Sequence, residues 1–204
     1  ELVAVVRALA TAQAPFVARG AGTGLSGGAL ADDITLLGLH RLKRIIALDP
    51  VARTATVEPG VVNATLTRAA APHGLHYAPD PSSQTACTIG GNIAENAGGP
   101  HCLKYGVTLD HALRATVVLP DGAVVTLDRG DGDGIASGGY DLLGAFIGSE
   151  GCFGVVVDVT VRLTPDPERV ITLLADFLRV RDAADATSRI IAAGILPAAL
   201  ELMD

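Results

Sequence analysis

A chain of 204 residues, 49% hydrophobic and 18% charged, carries enough apolar mass to bury a full core, which excludes a disordered segment. A net charge of −7 with no basic run excludes a nucleic-acid-binding surface, because such a surface must neutralise phosphates. No apolar stretch reaches the roughly 18 residues of a transmembrane segment, and three cysteines without a C-x-x-C pair point to a reducing compartment rather than a disulfide framework.

With no Trp, three Tyr and four Phe, the core must be aliphatic. Leu2, Val5, Val6 and Leu9 fall at helical spacing and predict a helix over residues 1–13. The sequence opens inside this pattern without an initiating Met and closes on a strand-like run, so it reads as part of a longer chain. "APFVAR" predicts a strand that feeds a glycine-rich loop. Residues 34–39, 44–49 and 53–60 predict three short strands, the last supported by alternating Thr54, Thr56 and the neighbouring Val57. Residues 62–74 predict a helix capped by Asn63 and ended by Gly74. A long polar stretch, 77–106, has one short helical possibility near 88–95, and a segment of that length in a compact domain is usually functional. Residues 112–128 predict a hairpin turning at Asp121-Gly122, 140–147 a short helix, and 154–165 a long alternating strand. Beyond Pro167 the pattern is strand (170–177), helix (180–193), strand (198–203), a β-α-β run that starts a second unit.

The first loop matches two motifs by letter. Gly22-Thr23-Gly24-Leu25-Ser26-Gly27 fits the dinucleotide fingerprint G-x-G-x-x-G, and Gly24 to Gly28 fits the nucleophile elbow G-x-S-x-G. Both demand a helix directly after the loop, and only "ALADD" separates Gly28 from the strand at Ile34. Both matches therefore fail on context. What remains is a nest, in which backbone N–H groups without obstructing side chains converge on an anion. "IGGNIAENAGG" offers a second stretch of the same kind. Two such stretches suit an elongated ligand that carries a diphosphate.

Three ordered segments, "ARGAGTGLSGGA", "YAPDPSSQTACTIGGNIAENAGGPHCLKYG" and "IGSEGCFGVVVDVTVRL", resemble the FAD-linked oxidases of the vanillyl-alcohol oxidase superfamily, whose FAD-binding domain is of the PCMH type. Within it the chain is most similar to the group formed by glycolate oxidase FAD-binding subunits and the D-lactate and D-2-hydroxyglutarate dehydrogenases. The resemblance implies an α+β fold: a PCMH-type FAD-binding domain of two small α/β subdomains over residues 1–168. Residues 169–204 would then be the first β-α-β of a ferredoxin-like cap domain that holds substrate. It also implies FAD-dependent oxidation of a small 2-hydroxy acid, glycolate or D-lactate, to the 2-keto acid. Companion subunits, an iron–sulfur protein among them, and a cytoplasmic location, with peripheral attachment at the inner membrane as a variant, follow from the same resemblance.

Residue by residue, the resemblance assigns the pyrophosphate to Arg19, Gly20, Ala21, Gly22, Thr23, Gly24, Ser26 and Gly27. Pro79, Asp80 and Ser82 are assigned to the flavin and ribityl chain. Thr88, Gly90, Gly91, Asn92, Asn96, Ala97, Gly98 and Gly99, followed by Tyr105 and Gly106, are assigned further cofactor contacts. Glu150 is placed near the adenosine, with backbone contacts from Gly154, Val155 and Val156. Covalent flavoproteins of this superfamily often carry a His in the first loop where this chain has Thr23, which implies non-covalent FAD. His101 is the one candidate for a catalytic role. Two readings stay open beside this one: another alcohol or an enolpyruvyl substrate on the same scaffold, or a non-catalytic module that keeps the fold for assembly.

Other residues read more plainly. His73 and His76 straddle the helix-ending Gly74 and share no face for a metal. His40 and His111 read as turn and strand-entry residues, and Cys87 as a small buried hydrophobe. "DRGDGDG" (128–134) lacks the bidentate Glu of a calcium loop and reads as a surface turn.

Overall fold

The computed structural model describes residues 1–129 and 139–203. Helix α1 (Leu2–Thr11) presents Val6 to the interior and leads into strand β1 (Phe16–Arg19). Strand β2 (Thr35–Gly38) lies parallel to β1, with Phe16 opposite Thr35 and Arg19 opposite Gly38. Parallel neighbours need a crossover, usually helical. Here the connection contains no helix, as the five-residue spacing after Gly28 predicts.

The main scaffold is a five-stranded antiparallel sheet. Its strands are β3 (Ile45–Asp49), β4 (Thr54–Val57), β6 (Ala112–Val118), β7 (Val124–Asp128) and β8 (Val155–Arg162), in the spatial order β3-β4-β8-β6-β7. Two remaining strands, β5 (Leu75–His76) and β9 (Thr164–Pro165), pair with each other. One face of the large sheet buries Val57, Ala115, Val117, Val159 and Val161. Against it pack Leu66 of α2 (Asn63–Ala70), Ile89 and Ile93 of α3 (Ile89–Glu95), and Leu143 and Phe146 of α6 (Leu142–Phe146). The core is mostly aliphatic, as the composition requires, with Tyr77 and Phe146 as its aromatic members, and each large side chain contributes on the order of 1.5–3 kcal/mol by leaving water. Two short helices that periodicity did not reveal, α4 (Cys102–Tyr105) and α5 (Thr108–His111), complete the return to β6. At four residues each they are below the length at which an apolar stripe can be read.

The hairpin turns where Asp121-Gly122 predicts. Gly122 takes φ +80°, Asp121 Oδ1 accepts the Ala123 N–H at 2.8 Å, and Arg7 of α1 donates to the Gly122 carbonyl at 3.3 Å. Gly74 also ends its segment as expected, in a left-handed conformation after a 3-10 turn at Ala71–His73.

Two expectations need correction. Asn63 does not cap its helix. It is the first helical residue, and its buried side chain donates through Nδ2 to the Pro79 carbonyl at 2.8 Å. Its backbone N–H donates to Cys87, so Asn63 sutures both ends of the 77–87 segment to the core. Nor do residues 170–177 and 198–203 form strands. Only the helix between them forms, α7 (Val180–Ala192), and none of its residues is buried. An apolar run becomes a strand only when another strand completes its ladder, and no described strand pairs with either segment. The "DRGDGDG" stretch falls outside the described residues from Gly130 onward.

His111 occupies the end of α5, buried, with Nε2 donating to the Tyr105 carbonyl at 2.8 Å. Its Nδ1 is buried with no partner. Burial pushes its pKa below the ordinary 6.5, more than the carbonyl contact raises it. The unfolded chain therefore binds a proton more readily than the folded one over the interval below pH 6.5. Stability present above pH 6.5 is lost as pH falls toward the lowered folded value. Urea midpoints measured between pH 7 and pH 5 should fall, and His111→Gln should flatten that fall. Asn63→Ala, which strips the suture from the 77–87 segment, should cost about 1–3 kcal/mol in the same assay.

Candidate functional site

Strand β1 ends at Arg19, and the chain then crosses to β2 with hardly any internal bonding. From Ala21 to Gly28 no backbone N–H donates to another described residue, and the crossover's one turn bond runs from the Leu30 N–H to the Gly27 carbonyl at 3.0 Å. Gly22 and Gly27 take φ of +70° and +87°, the left-handed region that suits glycine. Gly20 lies directly on the Thr88 side chain, where a Cβ would overlap the hydroxyl. The close approach of the two glycine-rich segments thus depends on Gly20 having no side chain.

Thr88 stands just before α3 in extended backbone. It does not cap the helix: its Oγ1 is buried and unpartnered, and so is Nδ2 of Asn92 one turn on. The glycines of this segment divide by role. Gly90 is needed for packing, since a Cβ would strike Pro59 at 2.6 Å. At Gly91 a Cβ would meet only Thr88 Oγ1 at 3.5 Å, so bare backbone faces open space there. Helix α3 ends at Asn96 in a left-handed conformation. Its carbonyls at Ile93 and Ala94 accept the N–H groups of Gly148 and Glu150 at 2.9 and 2.8 Å, which pins the 148–151 turn beside it.

These segments enclose one groove of about 290 Å³. Arg19, Gly20, Ala21, Gly22, Thr23 and Gly24 form one wall, while Thr88, Gly91, Asn92 and Ala97 form the facing wall, with Ser82 and Glu150 at its margins. It adjoins a cleft of about 70 Å³ lined by Gly90, Gly154, Val155 and Val156 together with Pro59 and Phe146. Among the lining residues the charges are Arg19, Glu95 and Glu150, one cation against two carboxylates. Charge neutralisation is therefore not how this groove would hold an anion. Its donors are neutral: the free N–H groups of the crossover, the Thr88 hydroxyl and the Asn92 amide.

Other sequence-predicted residues lie outside both spaces. Ser26 and Gly27 sit on the crossover but do not line the groove. Pro79 accepts the Asn63 bond. Asp80 turns its Oδ2 to His101 Nδ1 at 2.6 Å, leaves Oδ1 buried and unpartnered, and is covered by Gly99. Asn96 accepts the Leu109 N–H, Gly98 packs on Val107, and Gly106, at φ +81°, packs on Asp110. Tyr105 stacks edge-on against His76. Sequence reasoning passed over Glu95, Ser83, Pro81 and Cys87, all of which line the groove. Only the run of small and polar residues around Thr88 hinted at them. Burial raises the pKa of the Cys87 thiol, in keeping with an inert sulfur. His76 is bonded to Asp166 at 2.9 Å, and the described residues contain no group of three or more His, Cys, Asp or Glu set to hold a metal.

The groove fits the diphosphate of FAD on the structure's own terms. It offers unpaired N–H groups on one wall, an open glycine on the other, and two buried polar groups that lack partners between them.

Comparison with known proteins bears on the same segments. The FAD binding domain family model matches residues 1–128. The chain is 53% identical over 191 residues to glycolate oxidase subunit GlcD of Escherichia coli K12, covering 93% of this chain and 38% of that protein. It is 45% identical to the GlcD subunit of Bacillus subtilis, over 93% of this chain and 40% of the relative. Identity to a D-lactate dehydrogenase of Anaerostipes hadrus is 36%, over all of this chain and 42% of the other. The chain thus spans about two fifths of the length of these relatives. Among solved structures it superposes on alkyldihydroxyacetonephosphate synthase with a TM-score of 0.80 at 20% identity, over 98% of this chain and 37% of that one, a likeness of fold.

Thr88→Val separates stability from binding. Losing a buried hydroxyl that has no partner should raise the stability of the cofactor-free protein by about 1 kcal/mol in urea unfolding. Titration with FAD should show the opposite direction, with affinity reduced about tenfold.

Proposed function

We infer the function from one premise: this chain belongs to the FAD-binding domain family. Its cofactor is FAD, and the PCMH-type fold is the frame that holds it. The chain is the flavin-holding part of an enzyme that oxidises a 2-hydroxy acid, glycolate or D-lactate, to the 2-keto acid. The observation that carries this reading is the single groove in which the 20–28 crossover and the 88–97 segment face each other. The similarity to glycolate oxidase subunits and D-lactate dehydrogenases supports the substrate class.

Bound FAD supplies a two-electron acceptor for the hydride that leaves the substrate's α-carbon. The residues of this chain hold and orient it. The N–H groups from Ala21 to Gly28 take the diphosphate, with Arg19 as the one positive charge among the lining residues. Thr88 and Asn92 gain the partners they lack. Val155, Val156 and Phe146 give the adjoining cleft apolar walls suited to an aromatic ring. Nothing in the first loop replaces the imidazole of covalent flavoproteins, since Thr23 occupies that place, so the cofactor is held non-covalently.

His101 is the candidate proton acceptor. A carboxylate can only accept, so its 2.6 Å contact to Asp80 puts the proton on Nδ1 and leaves Nε2 as the basic nitrogen. Neither His101 nor Asp80 lines the groove; what supports the reading is that Asp80 directly precedes the groove-lining Pro81 and Ser82. We assign residues 1–168 to the FAD domain and 169–204 to the start of a substrate domain.

The relatives named as subunits support a multi-subunit enzyme, with an iron–sulfur partner as the proposed next electron carrier. The proposed place of action is the cytoplasm, with peripheral attachment at the inner membrane as a variant. Among the described residues no helix is long and apolar enough to cross a membrane.

The full-length protein should purify yellow, or turn so on FAD titration, and release its flavin on denaturation. Glycolate or D-lactate should bleach the flavin band anaerobically. A protein that binds FAD but is bleached by neither acid would redirect the substrate assignment, and His101→Ala should lower the bleaching rate about a hundredfold or more.

A further inference from the structure

The crossover that faces the diphosphate has little to hold its shape. Its N–H groups from Ala21 to Gly28 find no acceptor among the described residues. One side-chain hydrogen bond joins it to the opposite wall: Ser26 Oγ donates to Glu95 Oε2 at 3.1 Å. The same carboxylate lies against Gly24, where a Cβ would come within 2.8 Å of Oε1. Further along, Glu150 Oε2 lies 3.0 Å from where Gly28 would carry a Cβ. Glu95 is itself fixed as the last residue of α3, and Glu150 is tied to the same helix through its N–H on the Ala94 carbonyl. The helix end thus presents an acceptor to the tip of a loop that has few other bonds.

We propose that Glu95 is a positioning residue for the cofactor: it latches the crossover through Ser26, so that the loop's N–H groups already converge when FAD arrives. The inference rests on the reading that FAD occupies this groove. Ordering a loop at the moment of binding costs affinity, and a loop ordered beforehand avoids that cost. The latch needs an acceptor oxygen, and it does not need the charge. The charge works against the ligand, because Glu95 and Glu150 outnumber Arg19 beside an anionic diphosphate.

The test is FAD titration of the full-length apoprotein, followed by flavin fluorescence, with limited proteolysis of the apoprotein as a second readout. Ser26→Ala and Glu95→Ala should each weaken FAD binding about five- to tenfold. The double variant should be no weaker than the worse single one, because both remove the same bond. Glu95→Gln keeps an acceptor and should restore affinity to within about twofold of the wild type. The two alanine variants should be cut faster within residues 20–29, and the glutamine variant should not. Additive losses, a Gln variant as weak as Ala, or affinities unchanged by alanine would overturn the latch. So would tighter binding in Glu95→Ala, which would make the carboxylate an occupant that FAD must displace. A wild-type protein that takes up no FAD would instead remove the reading of the groove itself.

Discussion

The site depends on a parallel strand pair joined without a helix. β1 and β2 run side by side, and a crossover between such strands ordinarily satisfies its own backbone by coiling. This one cannot, because Gly20 to Gly28 is too rich in glycine and the chain reaches β2 too soon to complete a helix. Its N–H groups are left to water or to a ligand. A backbone that would be a defect in the core becomes a set of donors at the surface, where an anion can use all of them together.

That crossover is useful only if something solid faces it, and the five-stranded sheet provides this indirectly. Ile89 and Ile93 of α3 are buried against the sheet, so the helix cannot shift without opening the core. Its other residues, Gly91, Asn92 and Glu95, are carried to the groove on that fixed frame. The 77–87 segment is held in the same way by Asn63, whose buried amide spends itself on Pro79 instead of on a helix cap. The 148–151 turn is held by the carbonyls at the end of α3. The wall built from α3 and its neighbours is therefore tied to the core, while the crossover opposite it is not.

The electrostatics of the groove follow from the same economy of side chains. A diphosphate gripped by lysines would be held by long-range charge and weakened by salt. Here the donors are neutral and short-ranged, and the nearby charges favour repulsion. Holding an anion there would rely on geometry, so the glycine approaches would matter more than net charge. Gly20 over Thr88 is the tightest approach between groove-lining residues, and it limits how far apart the two walls stand.

Much of this was readable from the residues alone. Local rules settle local features: Gly74 and Gly122 end or turn the chain where their left-handed freedom requires it, the valine alternation of 154–165 makes a strand, and five residues after Gly28 rule out the helix of a dinucleotide fold. Composition and spacing likewise mark two nests. What they do not encode is which glycines face a ligand and which face a neighbour. Gly90, Gly98 and Gly99 look the same in sequence as Gly91, yet Pro59, Val107 and Asp80 occupy the space beside them, and only the packed structure brings those partners there. The same holds for Glu95, which is an ordinary helix-end acid by sequence and a groove residue once α3 is pressed onto the sheet. It holds too for 170–177, whose apolar run reads as a strand that no described neighbour completes. Conformational preference belongs to a residue and its nearest neighbours; contact across the chain belongs to the whole fold.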